Sequence, residues 1–260
     1  MQTQAIIEHI THWLNDYAER AGARGFVCGV SGGIDSAVTS TLAARTGRPL
    51  TCIEMPIHQS SDQVSRAVDH ITWLKSNHPH VEMVSVELTD VFDHFVAALP
   101  PAPDTAARDM SLVNTRARLR MSTLYYFAAL DGDLVAGTGN KVEDFGIGFY
   151  TKYGDGGVDL SPIADLVKTE VYALGAELGV SQAILQAPPT DGLWGDSRTD
   201  EEQIGASYPE LEWAMEFDGD EAALSERETE VLAIYRRYNR ANKHKMVPIP
   251  VCEIPAALRG

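Results

Sequence analysis

The chain has 260 residues and a formal net charge of −16, from 21 Lys and Arg against 37 Asp and Glu. Its 44% hydrophobic and 22% charged content are ordinary for a soluble globular protein. The acidity speaks against a nucleic-acid binder, which needs a basic face, and no apolar run approaches the roughly 18 residues of a membrane span. The N-terminal stretch lacks the basic region and clean apolar run of a secretion signal. Cys28, Cys52 and Cys252 are too scattered for a zinc site or a disulfide framework, so a reduced, cytoplasmic protein is expected.

In chain order, residues 2–21 carry Ile6, Ile7, Ile10, Trp13, Leu14 and Tyr17 at helical spacing, which predicts an amphipathic helix. "GFVCGV" reads as a buried strand and "DSAVTSTLAAR" as the helix after it, stopped by Gly47. "PLTCIEMPI" and "VEMVSVEL" predict two more strands, with a helix from Ser61 to about Lys75 between them and another over Thr89 to Leu99. After the surface break "PPAPDTAARD" a long helix is expected from about Met110 to Leu130, then a fourth strand in "DLVAGTGN". Residues 144–160 read as a glycine-rich functional loop. A short edge strand and a helix over "IADLVKTEVYALGAELG" follow, then a loop over 186–200 and further helix to about Ala241. Strands separated by helical crossovers predict an α/β fold: a doubly wound parallel sheet of about five strands, helices on both faces, and a helical C-terminal extension. The whole is expected to be one domain, 1–260.

In an open α/β sheet, ligands bind beyond the carboxyl ends of the strands. "GVSGGIDS", Gly29 to Ser36, takes that place after the first strand. Gly32 and Gly33 let a ligand approach the backbone, Ser31 and Ser36 add hydroxyls, and the helix N-terminus adds free N–H groups. Together these suit a pyrophosphate. Asp35 is out of place among phosphates unless a divalent cation such as Mg2+ lies between them. The same residues also fit a plain glycine turn with Asp35 or Ser36 as the helix cap. The absence of GxxxxGK[ST] excludes a Walker-type NTPase, and the absence of GxGxxG after the first strand disfavours a Rossmann dinucleotide site.

"SGGIDS" resembles the SGGxDS loop of the ATP pyrophosphatases, which cleave ATP between the α and β phosphates. The stretch "LVAGTGNKVEDFGIGFYTKYGDGGVDLSPIADLVKTEV" is similar to NAD synthetase nearly throughout. So are "NTRARLRM", "APPTDGLW", "TDEEQIG" and "HKMVPIP", in the same order over about residues 20–250. The chain thus resembles the ammonia-dependent NAD synthetases, with an adenine-nucleotide alpha-hydrolase-like fold. The resemblance implies that deamido-NAD is adenylated by ATP with release of pyrophosphate, and that ammonia then displaces AMP to give NAD.

Position by position, the resemblance implies that Gly29, Val30, Ser31, Gly32, Gly33, Ile34, Asp35 and Ser36 hold the ATP phosphates. Thr138, Lys168 and Thr190 match ATP-contacting positions, and Asp35 and Glu143 are the implied Mg2+ ligands. Lys168 is placed against the activated phosphates and Asp155 is the candidate to take a proton from ammonium. Arg118, Lys152, Asp159, His244 and Lys245 match the deamido-NAD positions. Arg116 and Arg120 lie four apart on one helix face while Arg118 points elsewhere, which suits a distinct role. The resemblance also implies a homodimer with the dinucleotide near the subunit interface.

Charge is uneven along the chain. Residues 191–230 hold 14 acids and two cations, and the part from 200 to 230 reads as a solvated helical surface. "YRRYNRANKHK" (Tyr235–Lys245) carries five cations and no acid, which an anionic ligand would explain better than a solvated run. With no segment of glutaminase size, free ammonia is the expected nitrogen source, unless a separate glutaminase subunit supplies it. Three other readings compete: an amidating ligase of the same fold acting on nicotinate mononucleotide or another acid, a tRNA-thiolating relative, and a non-catalytic nucleotide-binding protein. The thiolating reading wants catalytic cysteines and a basic RNA face, and this sequence offers neither.

Overall fold

The computed structural model describes residues 1–190 and 199–259. The expected loop over 191–198, the "DGLW" end of one motif and Arg198 lie outside the described residues. Four parallel strands form the sheet among them: β1 (Phe26–Gly29), β2 (Leu50–Glu54), β3 (Val81–Ser85) and β4 (Leu134–Val135), in the order β3-β2-β1-β4. The register aligns Phe26 with both Leu50 and Leu134, and Leu50 with Val81. The expectation of about five strands is therefore corrected to four. The anticipated edge strand shrinks to a single parallel bridge between Ala136 and Leu160, because Pro162 has no N–H with which to extend the ladder.

Side chains alternate across the sheet and create two cores. Phe26, Cys28, Leu50 and Cys52 face α1 (Thr3–Ala21), α2 (Ile34–Arg45), α3 (Ser61–Asn77) and α6 (Lys168–Glu177). Val27, Ile53 and Val135 face α4 (Thr89–Ala98) and α5 (Ala106–Asp131), where Phe92 and Ala128 close the packing. In α1 the buried residues Ile7, Ile10, Leu14 and Ala18 form one stripe, as their spacing requires. Helix α5 starts four residues before the expected Met110, because the Thr105 hydroxyl accepts from Arg108 N (3.2 Å) and caps it.

A third core lies C-terminal to the sheet. It joins a π-helical turn (Val142–Ile147) to α8 (Asp200–Ile204), α9 (Tyr208–Glu216) and α10 (Glu226–Met246), with Ile147, Tyr208, Leu211 and Val231 at its centre. A short helix α7 (Gln182–Leu185) precedes them. The π-helical turn runs into the stretch expected to be a functional loop rather than an element, and α10 runs past Ala241 to Met246. The helix expected to begin at Ile163 begins at Lys168 instead. No helix among the described residues is long and apolar enough to cross a membrane.

Candidate active site

The strand order reverses direction between β1 and β4, so the loops leaving these two strands diverge and open a crevice at their carboxyl ends. One wall is Ser31–Ser36 after β1. Gly32 has φ +81°, and a Cβ there would lie 2.6 Å from Gln63 O. The loop is laced by its own hydroxyls: Ser36 Oγ donates to Gly33 O (3.0 Å), and the N–H of Gly33 donates to Ser31 Oγ (3.3 Å). Gly33 is the N-cap of α2 and no side chain caps that helix. The plain helix-cap reading of Asp35 or Ser36 is thereby set aside, and the first-turn N–H groups stay available to an anion.

The opposite wall follows β4. Asn140 is fully buried and works in two directions. Its Oδ1 accepts from the N–H groups of Val142 and Glu143 (3.1 Å each), shaping the π-helical turn, and its Nδ2 donates to Asp35 Oδ1 (3.0 Å). This brings Glu143 opposite Asp35. Lys168, the first residue of α6 and only 3% exposed, lies between them. Its Nζ donates to Asp35 Oδ2 (2.5 Å) and Glu143 Oε1 (2.9 Å). The Tyr208 hydroxyl donates to the same Glu143 oxygen (2.6 Å), and Lys168 Nζ sits 4.6 Å from the Tyr208 ring centre.

The electrostatics follow from this packing. Burial raises the Asp35 pKa, and the Lys168 ammonium offsets that only in part. Burial pushes Glu143 the same way, but Lys168 and the Tyr208 hydroxyl outweigh it and hold the carboxyl below its usual value. Lys168 is kept charged by the two acids despite its burial. Two carboxylates beside a glycine-rich loop form a donor set that suits Mg2+, which takes one or two carboxylates and completes its shell with phosphate oxygens and water. Lys168 already fills that position with positive charge, so the chemistry of the site fits the ion.

A cleft of 240 Å³ runs along these walls. It is lined by Gly29, Ser31–Ser36, Thr138, Glu143, Asp155, Lys168 and Thr190, all singled out from the sequence. Val30 is buried and lines a smaller cavity of 70 Å³ alongside. Asp155 is an exposed residue at the cleft, yet the protein packed around its carboxylate pushes its pKa up to about 6. Burial is the largest cause, Glu143 adds to it, and the Thr151 N–H (3.0 Å) opposes it.

Arg118, Lys152, Asp159, His244 and Lys245 do not line this cleft. Arg118 Nη2 donates to Lys152 O (3.3 Å) and Lys152 Nζ to His244 O (3.0 Å), so three of them gather at one edge. Lys245 Nζ donates to Gly148 O (2.8 Å) and Tyr150 O (2.7 Å), and it lines a second cavity of 180 Å³ that shares Asp155 with the cleft. The Asp159 carboxylate accepts from Val135 N (2.8 Å) and Tyr125 Oη (3.0 Å), tying it to β4 and α5.

Several residues of the site escaped the sequence reading. Asn140 lies inside the quoted "GTGNK" without having been assigned a role. Arg66 and Arg120 line the cleft, with Arg66 Nε donating to Gly32 O (3.2 Å) and Arg120 Nε to Met55 O (2.9 Å). Asp200 and Tyr208, 6% and 3% exposed, contradict the solvated surface expected over 200–230. The signal was present in Tyr208, Leu211 and Ala214, whose spacing marks a buried helix face. From 216 to 230 the segment is largely exposed, as expected.

Residues 6–248 match the family model described as NAD synthase. The NH(3)-dependent NAD(+) synthetase of Methanosarcina mazei is 36% identical over 259 residues, covering 94% of this chain and 96% of the relative. Among solved structures, the NMN synthetase of Francisella tularensis has a TM-score of 0.84 at 30% identity, covering 98% of this chain and 99% of that one. The NH3-dependent NAD synthetase of Campylobacter jejuni, in complex with nitrate ion, has a TM-score of 0.78 at 27% identity, covering 97% and 100%. With its glycine-rich loop, paired acids and buried lysine in one crevice, this chain belongs to the NAD synthase family.

Proposed function

We propose that this chain amidates deamido-NAD with ammonia at the expense of ATP, through an adenylated carboxylate, giving NAD, AMP and pyrophosphate. One observation carries the reading: a buried lysine held between Asp35 and Glu143 at the mouth of a glycine-rich loop. A carboxylate is a poor acyl donor until one oxygen becomes a good leaving group, and adenylation supplies that. The nicotinate oxygen attacks the α-phosphorus, the bond to the bridging oxygen breaks, and pyrophosphate leaves. Gly29–Ser36, Thr138 and Thr190 hold the ATP, while Lys168 neutralises the departing phosphates. Asp35 and Glu143 would hold Mg2+, whose charge screens the phosphate oxygens when it is bound.

In the second half-reaction Asp155 accepts a proton from ammonium, which frees the nitrogen lone pair. A pKa near 6 makes it a better base than an ordinary aspartate while keeping it ionised at neutral pH. Nitrogen attacks the acyl carbon, the bond to AMP breaks, and a further proton passes to water. Arg118, Lys152, His244 and Lys245 are assigned to the anionic dinucleotide. Asp159, with its carboxylate already engaged, is assigned the part of fixing the strand end beside it. A homodimer sharing the dinucleotide, a single working unit over 1–260 and a cytoplasmic location belong to the same reading.

Likeness to the F. tularensis NMN synthetase favours one second reading, in which the acid amidated is the mononucleotide. Both are tested by incubating the protein with ATP, Mg2+, ammonium and equal amounts of the two acids. NAD formed in preference, with AMP and pyrophosphate, is the expected result. Preferential mononucleotide amide would favour the second reading, and ADP with phosphate would refute both.

A further inference from the structure

Tyr208 belongs to none of the motifs, yet it touches the centre of the site. It opens α9 and is 3% exposed, and its N–H donates to Glu201 Oε1 (3.0 Å), which anchors the residue. The hydroxyl has one proton to give. Glu143 Oε1 takes it at 2.6 Å, while Asp200 Oδ2 stands farther off at 3.3 Å. Glu143 Oε1 therefore receives both the phenol and Lys168, and the Asn140 side chain bears on the same carboxylate. We infer that Tyr208 is a positioning residue for the cation site: its hydroxyl fixes the Glu143 carboxylate through Oε1, and its ring seats the Lys168 ammonium.

The inference rests on the reading of Asp35 and Glu143 as metal ligands. A cation entering with ATP competes with Lys168 for the same two acids, so the ammonium must give up some of its contacts. Without the phenol, Glu143 would lose its fixed partner on Oε1 and would follow Lys168 more closely. With the phenol, the carboxylate keeps its orientation while the lysine shifts, and the ring face 4.6 Å away retains the ammonium nearby. Groups that hydrogen-bond a metal ligand from behind act in this way, by sparing the ligand its own ordering cost on binding.

The test uses Mn2+ as the probe, followed by electron paramagnetic resonance, with an ATP analogue that cannot release pyrophosphate. Tyr208→Phe keeps the ring and its packing and removes only the hydroxyl. It is expected to weaken Mn2+ binding by about 10-fold, the lower end for loss of such a partner. In a Glu143→Gln background the same change should have no further effect, a result that a merely structural role would not produce. Wild-type affinity in Tyr208→Phe, or equal weakening in both backgrounds, would overturn the assignment. NAD formation is scored on the same proteins in parallel, with ATP, Mg2+, ammonium and deamido-NAD in place of the analogue. Weaker Mn2+ binding supports the role of Tyr208 whether or not amide forms, whereas absent amide refutes the amidation reading alone.

Discussion

Replacing Lys168 with methionine removes the ammonium while keeping an unbranched side chain in its place. Asp35 and Glu143 then face each other, 18% and 17% exposed, without the cation between them. Breaking a buried ion pair by deleting one partner costs about 3–5 kcal/mol, because the remaining charge is stranded. At this size 1 kcal/mol corresponds to about 2–4 °C in Tm, so Lys168→Met should melt roughly 10 °C lower in chelator. The sign of the pH dependence follows. Without Lys168 both carboxyls have raised folded-state pKa values, so the deficit is full at high pH and shrinks as falling pH protonates them. Calorimetry with and without Mg2+ provides the decisive comparison. In the wild type Lys168 already fills the site, and Mg2+ alone should barely move Tm. In the variant, two unpaired acids should bind the ion and recover part of the loss. A variant as stable as the wild type in chelator, or an equal Mg2+ shift in both, would refute the reasoning.

Two further outcomes are expected. Asp155→Asn should release pyrophosphate at close to the normal rate but form amide about 100-fold more slowly. The wild-type amidation rate should climb as pH rises through about 6, the value to which burial lifts Asp155, and the variant should lose that limb. Equal loss in both half-reactions would contradict the base role. His70 is buried beside Ser40 (Nε2 to Oγ 3.1 Å), and burial lowers its pKa to about 4. The unfolded chain binds that proton near pH 6.5, so stability should fall between pH 6.5 and 4 by up to about 3 kcal/mol. Urea titrations over that range should show a shallower fall in His70→Leu, and an unchanged slope would refute the assignment.

The first half of the chain was legible because its elements obey simple periods: α1 carries one apolar stripe, and β1 and β2 are short buried runs ended by turns. The fifth strand failed on Pro162, which permits a bridge at Leu160 but no ladder. The π-helical turn was illegible because Asn140 builds it, by accepting two N–H groups that no pattern of apolar residues records. Within the site, the glycine-rich loop after β1 could be read locally. The meeting of Asp35, Glu143 and Lys168 could not, since it depends on β4 pairing beside β1 rather than β3. Resemblance to a family supplied what spacing could not. Composition misled in the acidic stretch, where the many acids conceal the buried Asp200 and Tyr208. The basic run did not reveal that Lys245 gives two of its donors to backbone carbonyls.

One face of α10 reads out the backbone of the loop that ends beside Asp155. Asn239 Nδ2 donates to Gly146 O (2.7 Å), Asn242 Nδ2 to Ile147 O (2.8 Å), and Lys245 Nζ to Gly148 and Tyr150. The three residues recur at steps of three, so they share a side of the helix. Adding or deleting one residue within α10 would turn the next of them by about 100° and unlatch everything beyond it. The exposed stretch around Asp218–Asp220 carries no such constraint. Length variation among natural versions of this chain should therefore collect before α10 and be purged from Asn239 to Lys245, so that a distant helix keeps the site in register as a ruler would.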